Sequence, residues 1–301
     1  MIAKSNSELL TVAVVVVCAS LWGIFWLPLR AFESAGLAAG WATLAQFVTP
    51  VLVLLPAAVL RTLRRLPIGL TRFDSGLLVG SAFVLYFESL LLTDVVRALL
   101  LFYITPAWGT LLEVTCMGRR LTARRALALV LGFSGLLVIL GVDTGVPLPR
   151  NLGDWMAFAG GITFAIGSMR VRQAPQVSVF EQVFSFFLYG TALALVLVLL
   201  PIPEMGQAPD LHSVRRLTPW LLLMAACFLI PVMWGLLWGS QRVDPGRLGI
   251  LLQMEAIIGI GSAALFAGEP FGWREATGAI LVVGAAMCDA LTSRPRPGNP
   301  V

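Results

Sequence analysis

The chain has 301 residues, of which 58% are hydrophobic and only 12% charged, and its mean hydropathy is +0.89. A soluble domain carries about 25% charged residues, so this composition excludes one and points to an integral membrane protein. The formal net charge of +5 is no argument for nucleic acid, because the basic residues fall in short loops between apolar runs.

Crossing the hydrocarbon core takes about 20 apolar residues, and ten such runs follow one another, at approximately 9–30, 37–60, 73–92, 95–117, 122–142, 152–172, 178–201, 219–241, 246–267 and 272–292. The first, Leu9 to Leu29, exceeds the h-region of a signal peptide and lacks an A-x-A-like cleavage site, so it is expected to stay in the mature protein. Connections are short except for the Pro-rich segment Pro201 to Pro219, which holds the only histidine, His212. No separate soluble domain is expected.

Cys18, Cys116, Cys227 and Cys288 are scattered through apolar runs, without the pairing of a disulfide framework or the spacing of a metal knuckle. One loop histidine excludes a His-based triad or a multi-His zinc site, and no Gly-rich phosphate loop is present. Neither an enzyme nor a cofactor or metal is expected. Energy for any transport would come from a gradient of substrate or protons.

With the N-terminus cytoplasmic, the inner segments hold Lys4, the cluster Arg61, Arg64, Arg65 and Arg72, the cluster Arg119, Arg120, Arg124 and Arg125, then Arg170, Arg172, Arg242, Arg247, Arg294 and Arg296. The outer segments hold only Arg30, Arg97, Arg150, Arg215, Arg216 and Arg274. The positive-inside rule therefore places both termini in the cytoplasm.

The stretch from Asp94 recurs 150 positions later: Asp94 falls on Asp244, Arg97 on Arg247, Leu101 on Leu251, Gly118 on Gly268 and Leu131 on Leu281. These matches sit at punctuation points, where chance similarity between apolar helices is least expected, and indicate an internal duplication. Five spans being an odd number, the second half must insert upside down. The expected fold is all-α, with ten transmembrane helices in two inverted five-helix repeats, 1–145 and 146–301. That is the architecture in which secondary carriers alternate access to a site at the repeat interface.

The first span, SLWGIFWLPLRAF, and the paired blocks LLFYITPAWGTLLEVTCMGRRLTARRALALVLGFSGLLVILG and LGILLQMEAIIGIGSAALFAGEPFGWREATGAILVVGAAM resemble the EamA-type branch of the drug/metabolite transporter superfamily. Pro106 and Gly268-Glu269-Pro270 match the family pattern. Gly118-Arg119 stands where Gly-Glu is usual, and Glu255-Ala256 where Glu-Pro is usual. The resemblance implies ten helices, an inner ring from spans 1, 3, 4, 6, 8 and 9, and outward movement of small metabolites. Within the superfamily the chain resembles bacterial exporters of aromatic amino acids. The alternatives are a multidrug carrier, a nucleoside or nucleotide-sugar exchanger, or a channel. A nucleotide-sugar exchanger would want buried cations, and no lysine follows Lys4 and no arginine lies deep in a span. A channel would want a continuous polar path, which is not visible.

Glu88, Glu113 and Glu255 lie well within apolar runs. A charge at the bilayer centre costs about 2.5–3.5 kcal/mol, so each should face a wet cavity or a partner. They either contact a substrate ammonium, or carry a coupling proton, or, for Glu88 and Glu113, pair with Arg97 or Arg119 or snorkel from a helix end. The duplication puts Thr105 opposite Glu255 and Trp238 opposite Glu88, a chemically asymmetric pair of surfaces suited to a zwitterion.

Trp41, Trp155, Trp220 and Trp273 fall near span ends, as an interfacial belt would. Trp22, Trp26, Tyr86, Tyr103, Trp108, Trp234 and Trp238 fall within spans, as a stacking wall or as plain packing. Trp22 and Trp238 are singled out because the resemblance puts their spans on the inner ring. Pro106 with Gly109, Pro231, and Gly235 with Gly239 are hinge or gating candidates, packing being the alternative. Gln46, Ser81 and Gln253 are further hydrogen-bonding candidates. Asp94/Arg97 and Asp244/Arg247 read as pairs capping helix starts, or as gates. The candidate cavity is thus Trp22, Glu88, Tyr103, Trp238, Gln253 and Glu255. Its expected partners are an amino acid or similar amphipathic metabolite and the lipid bilayer, and no nucleic acid.

Overall fold

The computed structural model describes residues 2–70, 73–118, 123–140, 149–173, 177–243, 245–268 and 271–292, and among them there is no β-strand. In chain order the helices are α1 Ile2–Gly23, α2 Trp26–Ser34, α3 Ala39–Leu63, α4 Phe73–Leu92, α5 Val95–Phe102, α6 Thr105–Met117, α7 Ala123–Leu140, α8 Leu152–Gln173, α9 Val179–Leu199, α10 Leu211–Met224, α11 Ile230–Ser240, α12 Pro245–Phe266 and α13 Trp273–Thr292. A 3-10 turn covers Pro203–Met205, and a π turn, Ala225–Leu229, joins α10 to α11. Four described stretches are long and apolar enough to cross a bilayer: Leu9–Ser34, Ala39–Leu63, Val179–Leu199 and Leu211–Ser240. The shorter helices Gly76–Leu92 and Met254–Phe266 are also apolar. The chain is a multi-pass membrane protein.

The helices cover the expected apolar runs, but three runs are interrupted, with a proline at or just past each interruption. Pro28 has no N–H to give the carbonyl of Ile24, and the run 9–30 breaks there into α1 and α2. Pro106 likewise withholds a donor from the carbonyl of Phe102, the residue at which α5 stops. The Thr105 hydroxyl takes over, donating to that carbonyl at 2.6 Å. In the matching position 150 residues on stands Ala256, and α12 runs through unbroken. The third run starts not at 219 but at Leu211, because Asp210 caps α10 by accepting from the Ser213 N–H at 2.6 Å. His212 therefore belongs to a helix. Pro231 then follows the π turn, where its missing N–H concerns the carbonyl of Cys227.

Other helix ends are also sequence-encoded. Ser178 and Glu181 form a capping box at the start of α9, the serine N–H donating to the glutamate at 3.1 Å. Gly118 and Gly268, just past α6 and α12, both take left-handed backbone, with φ of +61° and +65°.

The chain forms two compact units, each drawing on both sequence halves: Met1–Ile24 with Val95–Pro149 and Gly235–Val301, and Phe25–Asp94 with Arg150–Trp234. The expected repeat boundary at 145/146 lies outside the described residues. Within the first unit α7 packs on α13 and α1 on α12. A Cβ at Gly135 would come within 2.9 Å of Val282, and one at Gly23 within 2.6 Å of the Glu255 carbonyl oxygen.

Within the second unit α4 packs on α8 and α9, α3 packs on α9, and α2 lies on α3 and α4. The end of α4 is tied down by polar groups. Arg30 donates to the carbonyls of Leu90 and Thr93, both at 3.0 Å. The Thr93 hydroxyl donates to the buried carboxylate of Asp154 at 2.9 Å, and that carboxylate also accepts from the Arg150 N–H at 2.9 Å. These bonds supply partners for helix-end carbonyls that lipid cannot supply.

Candidate functional site

On α3 the residues Thr43, Gln46, Phe47, Pro50 and Leu54 recur at helical spacing and are buried. Glu88 on α4, Thr43 and Gln46 are each 0% exposed. Neither Glu88 oxygen, nor the Thr43 hydroxyl, nor either side-chain polar atom of Gln46 finds a hydrogen-bond partner. The contact between Phe47 and Phe87 brings their neighbours in the chain, Gln46 and Glu88, to the same level of α3 and α4. Pro50 adds a further acceptor, since it has no N–H to offer the backbone carbonyl of Gln46.

This polar group is walled by aromatic rings. Phe87, next to Glu88, lies 4.3 Å from Phe25 and 5.1 Å from Phe47 between ring centroids. Phe47 lies 5.5 Å from Phe186 of α9, and Phe83 lies 5.2 Å from Phe186 and 5.6 Å from Phe164. The enclosure closes this tightly because Gly190 has no side chain: a Cβ there would overlap the Phe47 ring. A neutral polar group left unbonded in such surroundings costs about 1–3 kcal/mol, and an ionised one more.

In the first unit Glu255 is 6% exposed and sits where α12 crosses α1, its carbonyl against Gly23 and hence beside the buried Trp22. One turn on, Gly259 lies against Leu99 of α5, a Cβ there falling 2.8 Å from the leucine. The crossing therefore sets the backbone of Glu255 against Gly23, the residue that follows Trp22. Tyr103 is buried in the break between α5 and α6, edge-on to Phe102 at 5.8 Å. Trp238 is half-buried, and one face of its ring is taken by the Arg242 guanidinium, 4.3 Å from the ring centroid. Gly235 and Gly239 lie where a Cβ would meet Cys18 and Val15 of α1, so both serve close helix approach.

Glu88 belongs to the second unit, while Trp22, Tyr103, Trp238 and Glu255 belong to the first. Pro106 stands at the second position of α6, where a missing N–H is tolerated, rather than mid-helix as a kink. Gly109 faces open space, and Pro231 is exposed. The side chains of Pro106, Glu113 and Gln253 lie outside the described residues, as do Asp244, Glu269, Pro270, Arg119 and Arg120. Ser81 is half-buried on α4, and Asp94 directly precedes α5.

Trp155, Trp220 and Trp273 are exposed as a belt requires, whereas Trp41 is half-buried. Trp234, expected in the interior, is 36% exposed. Trp108 packs edge-on to Phe133 at 5.1 Å.

Sequence reasoning gave Gln46 a minor part and missed Thr43, Pro50 and the phenylalanine wall. The available signal was the spacing of a threonine, a glutamine and a proline at 43, 46 and 50, which puts three polar features on one helix stripe.

Residues 151–288, from the start of α8 into α13, match the EamA-like transporter family. The match supports the drug/metabolite transporter superfamily and a membrane transporter of small substrates. A solved structure titled only "Crystal structure of protein" is similar over 96% of this chain and 98% of that one, with a TM-score of 0.58 and 20% identity. At that identity the similarity speaks for the fold alone. No curated protein matches the chain.

Proposed function

We propose that the protein is a secondary carrier that exports small amphipathic metabolites, aromatic or other hydrophobic amino acids foremost, across a bacterial inner membrane. The observation that carries this reading is the fully buried Glu88, with Thr43 and Gln46, inside membrane-embedded helices. Ionisable groups are costly there and mark substrate or ion pathways. The family match of residues 151–288 supports transport rather than structural packing as the reason for that cost.

In this reading the ten spans form two inverted five-helix repeats with both termini cytoplasmic. The paired left-handed glycines Gly118 and Gly268 support the duplication. The repeats alternate access, bending at the break before Pro106 and around Gly109, Pro231, Gly235 and Gly239. Trp22, Tyr103, Trp238, Gln253 and Glu255 of the first unit line the path, the Glu255 carboxyl meeting the substrate ammonium and the rings its apolar side chain.

The test is uptake of labelled tryptophan, phenylalanine and threonine into proteoliposomes of the purified protein, with Glu255→Gln and Trp22→Ala for comparison. Saturable uptake of the aromatic pair, weakened in both variants, is expected. Absence of uptake of all three by folded protein overturns the amino-acid reading in favour of a drug or nucleoside substrate.

A further inference from the structure

We propose that Glu88 is a proton-binding site, the carboxyl whose protonation and deprotonation couple transport to the proton gradient, with Thr43 and Gln46 positioning it. The coupling role rests on the carrier reading above; the proton-binding role rests on the surroundings of Glu88 alone.

Those surroundings favour a neutral acid. Among the described residues, the charged and titratable groups on the elements packed against α4 are engaged elsewhere or carry the wrong sign. On α2, Arg30 directs its guanidinium to the carbonyls of Leu90 and Thr93, and Glu33 repels a carboxylate. On α3, Arg61 donates to the Pro67 carbonyl and lies over Phe180. On α8, the Asp154 carboxyl accepts from Thr93, and Arg170 is exposed. On α9, Glu181 accepts from Ser178, and the Tyr189 hydroxyl donates to the Leu70 carbonyl. Tyr86, on α4 itself, packs among rings, 6.2 Å from Phe83 and 6.3 Å from Phe87. An ionised Glu88 would thus lie among phenylalanines with no cation among the described residues to balance it, whereas a protonated one is neutral and gains a donor.

Acceptors for that donor are at hand. Thr43 and Gln46 share the buried stripe of α3, and the Gln46 carbonyl lacks its helical donor because of Pro50. The elementary step is simple: a proton from water bonds to a carboxylate oxygen when the site opens to one side, and the same O–H bond breaks to water when it opens to the other. Neutralisation in between removes the charge that would otherwise have to be carried through the apolar wall.

Infrared difference spectroscopy of the full-length protein in liposomes tests this directly, without any substrate. At neutral pH, where ordinary carboxyls are ionised, wild-type protein is expected to show the C=O stretch of a protonated acid that disappears in Glu88→Gln and shifts in Thr43→Val and Gln46→Leu. Circular dichroism and gel filtration establish that each variant is folded, and Glu88→Asp, which keeps an acid, should retain a band. Absence of any band sensitive to Glu88→Gln overturns the proposal. In proteoliposomes the ratio of uptake with an inward-directed substrate and outward-directed proton gradient to uptake without a pH gradient should fall to unity in Glu88→Gln; an unchanged ratio also overturns it. If wild-type protein takes up none of the amino acids, the substrate reading fails while the infrared result still decides this one.

Discussion

Gly80 of α4 lies directly against Gly190 of α9: a Cβ built on Gly80 falls 2.8 Å from the Gly190 nitrogen and equally close to the Phe186 carbonyl oxygen. Both obstacles are backbone, so the helices themselves would have to separate. Gly80→Ala is expected to destabilise the protein by about 1–3 kcal/mol, the usual range for overpacking. Gly109→Ala is the control, since nothing lies within 4 Å of a Cβ there, and helix propensity then favours alanine by about 0.5–1 kcal/mol. Thermal unfolding of both variants in detergent, followed by circular dichroism, gives the comparison.

The Asp154 carboxylate is buried and accepts from the Thr93 hydroxyl and the Arg150 N–H. Asp154→Ala strands both donors and should cost about 1–3 kcal/mol. Asp154→Asn keeps one acceptor oxygen and should cost less. Equal stability of wild type and the alanine variant in a chemical-denaturation series would remove this network from the account of how α4 is anchored.

Pro106→Ala should restore a backbone N–H facing the Phe102 carbonyl, making α5 and α6 resemble α12, where Ala256 holds the matching place. The expected result is a continuous helix, read as slow hydrogen exchange of the new amide at position 106. Rapid exchange there would show that something other than proline breaks the run.

At the start of α10 the backbone N–H of Ser213, and then its hydroxyl, hold the Asp210 carboxyl below its ordinary value of 3.8. A carboxylate favoured in the folded state contributes stability that is fully present above that value and is lost as pH falls through the depressed one. Exchange of the Ser213 amide should therefore be pH-insensitive, after correction for intrinsic rates, until below pH 3.8. In Asp210→Ala protection should be reduced above pH 3.8 and should approach that of wild type only in stronger acid.

Much of the fold could be read from the chain because membrane crossing imposes a length of apolar residues that composition alone reveals, as in Val179–Leu199. Gly118 and Gly268 were legible as punctuation, since left-handed backbone at a helix end calls for glycine. The breaks at Ile24 and Phe102 were legible only in principle. A proline marks its effect four residues upstream, and whether the helix stops there or runs on, as α3 does through Pro50, depends on what neighbours supply to the freed carbonyl. Glu88 was found because a carboxyl in an apolar run stands out against its background. Phe47, Phe87 and Phe186 were not, because a phenylalanine in a membrane helix looks the same in sequence whether it meets lipid or another ring.

The contrast between the interrupted α5–α6 and the unbroken α12 bears on kinetics. Were the repeats to trade places during a transport cycle, the stroke that loads the segment containing Thr105 and Phe102 would bend at a joint already cut, while its counterpart would have to deform an intact rod of hydrogen bonds. The two strokes would then cross barriers of different height, so that turnover runs at unequal speeds in the two directions even though, at equilibrium, the gradients alone decide which way net flow goes.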